Sequence, residues 1–330
     1  MLGRITTVTI TAPDIPAAVG AYQRYLSYRV VDDGALGREV ARAWGRPGLA
    51  GARAVVLEPA SGLDTWIRFV EGPTYTDYQP FACVGWNAAE LIVEDVDALA
   101  EQLRGSPFRI IGPPADLSFT DKIRAMQVVG PAREVLYLTR IRERLAAFDT
   151  PEPACSVDRV FIVILGGSSL DTLQDFYQQR FGVARATPMP SVVSVLSAQY
   201  GLPRDHRHAI AALKVGGQCY VEADEMPPGV APRPCEPGQL PPAVAMVTFE
   251  VENLPDVSSL LGPPHRSAGL PYSGRRSMAC AGATGELIIR SDRPDLTYPD
   301  NIVGYVKAEN GIVTEIFGDV LVCCHPDTPS

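Results

Sequence analysis

The chain has 330 residues, is 46% hydrophobic, and sets 29 basic against 38 acidic side chains for a formal net charge of -9. That length suits two domains of ordinary size, and an acidic balance with no basic cluster excludes a nucleic-acid surface or an anionic-membrane patch, leaving small molecules or proteins as partners. No run of 18 apolar residues could span a bilayer, the N-terminus lacks an apolar signal region, and the seven cysteines include no C-x-x-C pair, so the expectation is a cytoplasmic protein with reduced thiols.

In chain order, "ITTVTITA" (5-12) alternates as a strand, Asp14 is placed to cap a helix "IPAAVGAYQRYL", and "YRVV", "ARAVVLE" and "TWIRFVE" alternate again. This is a β-α-β-β-β grammar. It recurs at once with "AAELIV", a helix from "DVDALAEQLRG" stopped by Gly105, then "FRII", "IRAMQVV" and "EVLYLTR". After a linker at 142-156, "FYQQRF" repeats "AYQRYL". "YGLPRDHRHAIAALKV" repeats "WGRPGLAGARAVVLEP" at an offset of 156 (Trp44 to Tyr200), and "YVEADEMP" repeats "WIRFVEGP" at 154 (Trp66 to Tyr220). A Pro-rich linker at 227-242 precedes a fourth unit, in which "VAMVTFEVENLPDVSSL" resembles "NAAELIVEDVDALAEQL". In the tail, Asn310-Gly311 lies between two alternating segments of 303-322 and predicts a hairpin that could cover a sheet edge or mediate a homodimer.

These four segments resemble units of the vicinal-oxygen-chelate superfamily, the glyoxalase, bleomycin-resistance and extradiol-dioxygenase group. The resemblance rests on "APDIPAAVGAYQRYL", "VEDVDALAEQL", "SSLDTLQDFYQQRF" and "VENLPDVSSLL", and covers roughly residues 5-291. It implies an α+β fold of four tandem βαβββ units making two cupped mixed-sheet domains. The expected domains are 1-143 and 156-292, each of two consecutive units, followed by a C-terminal extension, 293-330, with a β-hairpin.

Members of that family that use a metal place His or Glu near the start of each unit's first strand and Glu within its last. Here the first-strand places fall on Thr7, Ala88, about Phe161 and Met246, and the last-strand places on Arg68, Tyr137, Glu222 and Ile289. Glu222 alone is a ligand-type residue, whereas a catalytic metal takes three or more protein ligands. A divalent metal is therefore expected only at a non-standard site, for which His206, His208 and Glu222 are the candidates, and the cofactor is otherwise unknown or absent.

Metal-free chemistry is the other reading of the same residues. A carboxylate facing an apolar cup is driven toward its neutral form, so Glu222 with His208 is a candidate catalytic pair for moving a proton beside a carbonyl. In the first cup Arg68, Glu90 and Tyr137 are expected to share a hollow. Either Arg68 and Glu90 form a structural ion pair, or Arg68 and Tyr137 hold a substrate carboxylate or phenolate. His206 and Tyr220 complete the candidate substrate contacts. The expected function is a glyoxalase-like enzyme acting on a small oxygenated, aromatic or non-aromatic metabolite by lyase, isomerase or ring-opening chemistry. The alternatives are a non-catalytic small-molecule binder of the bleomycin-resistance kind and, disfavoured by Phe161, Met246 and Ile289, an Fe(II) ring-cleaving dioxygenase.

Overall fold

The computed structural model describes residues 1-146, 148-252, 254 and 260-292, with the backbone of three further strands between 305 and 323. Unit one comprises β1 (Ile5–Ala12), α1 (Ile15–Leu26), β2 (Arg29–Ala35), α2 (Arg38–Ala43), β3 (Arg53–Glu58) and β4 (Trp66–Glu71). Unit two comprises β5 (Gly85–Val93), α3 (Val96–Leu103), β6 (Arg109–Leu117), β7 (Thr120–Val129) and β8 (Val135–Ile141). Unit three comprises β9 (Val157–Gly167), α4 (Leu170–Phe181), β10 (Met189–Val192), α5 (Ser194–Gln199), β11 (Arg207–Lys214) and β12 (Tyr220–Glu225). Unit four comprises β13 (Ala243–Val251), β14 (His265–Arg266), β15 (Arg276–Ala281) and β16 (Leu287–Asp292). The helix expected from "NLPDVSSLL" in unit four lies largely outside the described residues.

Local chemistry sets the helix starts. Asp14 accepts a hydrogen bond from the Ala17 amide at 2.9 Å, Asp95 accepts from the Asp97 and Ala98 amides, and Ser169 accepts from Thr172, each satisfying amides that have no intrahelical partner. In α1 the buried residues Ile15, Ala18, Ala21, Tyr22 and Leu26 recur at helical spacing and turn one stripe to the sheet. Gly182, with φ of 66°, ends α4 in the left-handed conformation that glycine adopts without strain.

The two eight-stranded sheets pair the units in an order the sequence did not suggest. One runs β14-β15-β16-β13-β1-β4-β3-β2 and joins units one and four; the other runs β10-β11-β12-β9-β5-β8-β7-β6 and joins units two and three. The joints are antiparallel pairings of first strands, β1 with β13 and β5 with β9. The expected hollows of consecutive units are corrected accordingly: a cut between 143 and 156 passes through both sheets. The reason is that every unit opens with an equivalent strand whose free edge can take any other first strand, so the repeat pattern fits either pairing. We call the sheets outer (units one and four) and inner (units two and three) by their place in the chain.

Each sheet is curled, with one face toward a hollow and the other toward the helices. The helix-bearing faces of both sheets share one core, in which Tyr22 meets Phe69 and Phe108, and Trp86 of β5 meets Phe249 of β13. Fully burying side chains of this kind contributes roughly 1.5–3 kcal/mol each. Two matching polar links cross it: Tyr22 donates to Glu134 at 3.0 Å and Tyr177 donates to Glu286 at 3.3 Å, tying the helix of each odd unit to the last hairpin of the following even unit. Units one and two, and units three and four, are thus joined through helices, while the sheets join one with four and two with three. In the tail, β17 (Tyr305–Lys307), β18 (Val313–Phe317) and β19 (Val320–Cys323) form a separate antiparallel sheet; the Asn310-Gly311 turn itself lies outside the described residues.

Candidate functional site

The two hollows differ in what fills them. In the outer sheet, α2 carries Trp44 over the hollow, where it is fully buried with Tyr272, Met246, Ile289, Leu36 and Leu49. Arg68, 2% exposed, lies beneath: it donates to the Thr9 hydroxyl at 3.1 and 2.8 Å, and its guanidinium stacks 4.5 Å from the Trp44 ring centroid. The Trp44 indole donates to the Tyr272 hydroxyl at 3.2 Å. Arg68 is therefore consumed inside a plugged hollow, as a cation stacked between aromatic faces.

The inner hollow is open. Its cavity, about 490 Å³, is walled by apolar side chains that include Phe119, Phe148, Phe161, Ile162 and Val195, and it reaches Glu90, Tyr137, Thr139 and Glu222. The α5 segment occupies the place in unit three that α2 occupies in unit one, yet it stands as a side wall through Val193, Ser194 and Val195 rather than as a plug. Strand alternation supplies the polar floor. Glu90 of β5 is level with Tyr137 of β8, and Glu222 and Asp224 of β12 are level with Ile164 and Gly166 of β9, so all four project from one face.

No cation neutralises this floor. Among the described residues neither Glu90, Glu222 nor Asp224 forms an ion pair, and the Tyr137 hydroxyl and one Asp224 carboxylate oxygen are buried without a hydrogen-bond partner. Burial therefore drives the carboxyl groups toward their neutral forms. Desolvation raises Glu90 to about 7, slightly offset by the neighbouring Thr139, and raises Asp224 to about 8. Glu222 is pushed well above the ordinary carboxyl range by desolvation and by the charges of Asp224 and Glu90, and Tyr137 is raised by desolvation and then by Asp224, Glu222 and Glu90. These groups titrate as a set rather than singly.

The expected residues separate as follows. Glu90, Tyr137 and Glu222 come together; Arg68 does not join them, and its expected ion pair with Glu90 does not form because the two lie in different sheets. His208 is not Glu222's partner. Across β11, Glu222 is level with Ala212, four residues from His208, which is about 13 Å of extended strand. His208 is instead 4% exposed and hydrogen-bonded through Nε2 to the buried Ser197 hydroxyl of α5 at 2.9 Å, while the His206 ring packs edge-on to it. The non-standard metal set His206, His208 and Glu222 is therefore not assembled, because alternation placed the histidines on the right face but at the wrong level. Tyr220 is buried, and its hydroxyl is taken by the Asp149 amide at 2.8 Å, steadying the segment that brings Phe148 and Thr150 to the cavity wall. Asp224 was the residue passed over, although its place two positions after Glu222 on an alternating strand is a readable signal.

No family model and no curated protein matches the sequence. Solved structures do match the fold. Glyoxalase I from Zea mays superposes with a TM-score of 0.58 over 88% of this chain and 92% of that one, at 15% identity. A proposed dioxygenase from Bacillus subtilis superposes with a TM-score of 0.58 over 89% of this chain and 86% of that one, at 10% identity. The chain has the vicinal-oxygen-chelate fold. At these identities the likeness establishes architecture and leaves the chemistry to the residues.

The vicinal-oxygen-chelate fold raises the question of a divalent metal, and the side chains answer it. The outer hollow offers Thr7, Arg68, Met246 and Ile289 at the family's ligand places, with a fixed cation among them. The inner offers Ala88, Tyr137, Ile162 and Glu222. Ile162 rather than Phe161 holds the third place, since it stands to the Ser169 cap as Ala88 stands to the Asp95 cap. Two of these four have no donor atom, and burial keeps Tyr137 protonated. Among the described residues no three His, Cys, Asp or Glu side chains are grouped to hold a metal. The residues present do not fit the four-ligand set.

Proposed function

We propose that the inner hollow is the active site of a glyoxalase-like enzyme that moves a proton on a small oxygenated metabolite with an aromatic or other apolar body, in lyase, isomerase or ring-opening chemistry that does not use the family's metal set. The observation that carries this reading is that Glu90 and Glu222 reach the floor of an apolar cavity, with Asp224 buried beside Glu222 on the same face of β12 and, among the described residues, no ion pair to any of the three. A carboxyl group that titrates near neutrality can take a proton from carbon and return it, which an ordinary surface carboxylate does poorly. Glu222, half-buried and open to the cavity, is the proposed acid-base residue. Tyr137, kept protonated, would donate a hydrogen bond to the substrate oxygen that gathers charge. Glu90 and Asp224 hold back ionisation of Glu222 by their own charge. His208 and Tyr220 have no direct part in this scheme.

The same reading places the protein in the cytoplasm with a small-molecule partner, and makes the C-terminal strands a candidate homodimer contact. Among the described residues no helix is long and apolar enough to cross a membrane. The second reading, a binder without turnover, is favoured by the missing metal ligands.

Solvent exchange separates the two. Incubation in D2O with hydroxyacetone, 2-hydroxyacetophenone or phenacylamine should accelerate deuterium entry beside the carbonyl of at least one compound, with the acceleration reduced by roughly 100-fold or more in Glu222→Gln. Binding without enhanced exchange would establish the binder instead, and exchange indifferent to Glu222→Gln would remove Glu222 from the mechanism.

A further inference from the structure

We propose that the inner hollow selects an organic cation, seating an ammonium group between Glu90, Glu222 and Tyr137 and laying its apolar body along Phe119, Phe148, Phe161 and Ile162. The inference rests on the cavity being a ligand site, but not on turnover. Its starting point is a charge imbalance. Buried carboxyl groups in proteins are ordinarily paired, whereas here Glu90 and Glu222 reach the cavity with Asp224 buried beside them, and among the described residues no arginine, lysine or histidine is bonded to any of the three.

The neighbouring cations are committed elsewhere. Arg124 is bound to Asp97 and Asp116, Arg140 to Asp95, and Arg142 to Asp116, and none of these three arginines lines the cavity. Lys214 of β11 is paired with Asp149. Toward the floor, β9 and β11 present Ile162, Ile164, Ile210 and Ala212, which do not titrate, and farther along the same face of β11 stands His208, hydrogen-bonded to Ser197 and driven toward its neutral form by burial and then by His206. At the rim, Asp116 from β6 and the adjacent Arg204 and Asp205 from the turn before β11 line the same cavity, so the rim adds no net positive charge. The Tyr137 hydroxyl and one Asp224 carboxylate oxygen are more than nine-tenths buried and, among the described residues, have no hydrogen-bond partner.

A cation entering this space gains what the chain withholds. It meets carboxylates in a low-dielectric wall, where attraction is much stronger than in water, and aromatic faces that favour a positive charge. The cavity volume of about 490 Å³ suits a ligand of one ring and a short side chain. An anion meets the reverse, since the carboxyl groups would all have to remain protonated to receive it. Because the floor holds protons near neutral pH, a cation must displace them, and its affinity should rise as pH rises through the range in which Glu90 and Asp224 titrate, about 7 to about 8.

Three probes sharing one phenylethyl body test this by calorimetry on the full chain: 2-phenylethylammonium, 2-phenylethanol and 3-phenylpropionate. The expected result is that the ammonium binds at least roughly tenfold tighter than the alcohol, tightens by roughly tenfold between pH 6 and pH 8.5, and releases protons to buffer, with the anion weakest. In Glu90→Gln/Glu222→Gln, whose neutral isosteric side chains relieve the buried charge, the preference and the proton release should disappear while the thermal melt remains cooperative. An ammonium that fails to bind, binds no better than the alcohol, or binds with pH-independent affinity would overturn the proposal. Because no turnover is measured, that failure is distinct from a failure of deuterium exchange.

Discussion

Two positions apart on β12, Glu222 and Asp224 share a face and an electrostatic predicament, and Asp224 shows its energetic sign most clearly. Its folded-state value of about 8 lies far above that of an exposed aspartate, so the folded state binds the proton more tightly than the unfolded chain does. The stability this provides is fully present below about pH 4 and is lost as pH rises toward 8. Asp224→Asn should remove that loss, leaving the variant more stable than the native chain by roughly 2–4 kcal/mol at pH 8.5 and nearly equal to it at pH 4. Melting curves across that range check it, and an Asn variant with an unchanged pH slope would show that Asp224 is ionised throughout. At this scale much was legible: alternation together with the family resemblance placed Glu222, Glu90 and Tyr137 on hollow-facing positions, though not in one hollow. The misplacement of His208 came from strand register, because the level at which β11 meets β12 is set by backbone pairing that a period of two does not encode.

At the scale of elements, two short helices decide which hollow is usable. Both α2 and α5 follow the second strand of their unit and precede its third, and both end at an aromatic residue, Trp44 or Tyr200. Trp44 is fully buried in the outer hollow, whereas Tyr200 is only half-buried and leaves the inner cavity open. Neither helix is evident from hydrophobic periodicity, since six residues give less than two turns of pattern. The plug predicts an engineered site. Trp44→Ala should cost about 3–5 kcal/mol and open a cavity above the Arg68 guanidinium, so that added indole restores part of the lost melting temperature. Loss of less than about 1 kcal/mol, or no response to indole, would mean that the outer hollow is not held shut by Trp44.

For the whole molecule, the sheets cross the sequence midpoint while the Tyr22–Glu134 and Tyr177–Glu286 links stay within each half. The repeat was legible because each unit restates the same caps and strands. The pairing was not, because four equivalent first strands offer four equivalent edges. Separated halves, 1-143 and 156-292, would each expose the joining edges of two central strands. Each half should therefore associate or aggregate on its own, and mixing them should restore one cooperatively melting 1:1 complex, as size-exclusion chromatography and calorimetry would show. Two monomeric, independently melting halves would contradict the shared sheets.

Around the inner hollow, Glu90 and Asp224 are held where they exchange protons near neutral pH, and Glu222 beside them is raised well above the ordinary carboxyl range. Carboxyl 13C NMR of protein labelled at Asp and Glu reads this directly. At least two resonances should titrate between about pH 6 and pH 9, with one lost in Asp224→Asn and the others shifted in Glu222→Gln. Inner-hollow carboxyl resonances that all titrate below about pH 5 would contradict it.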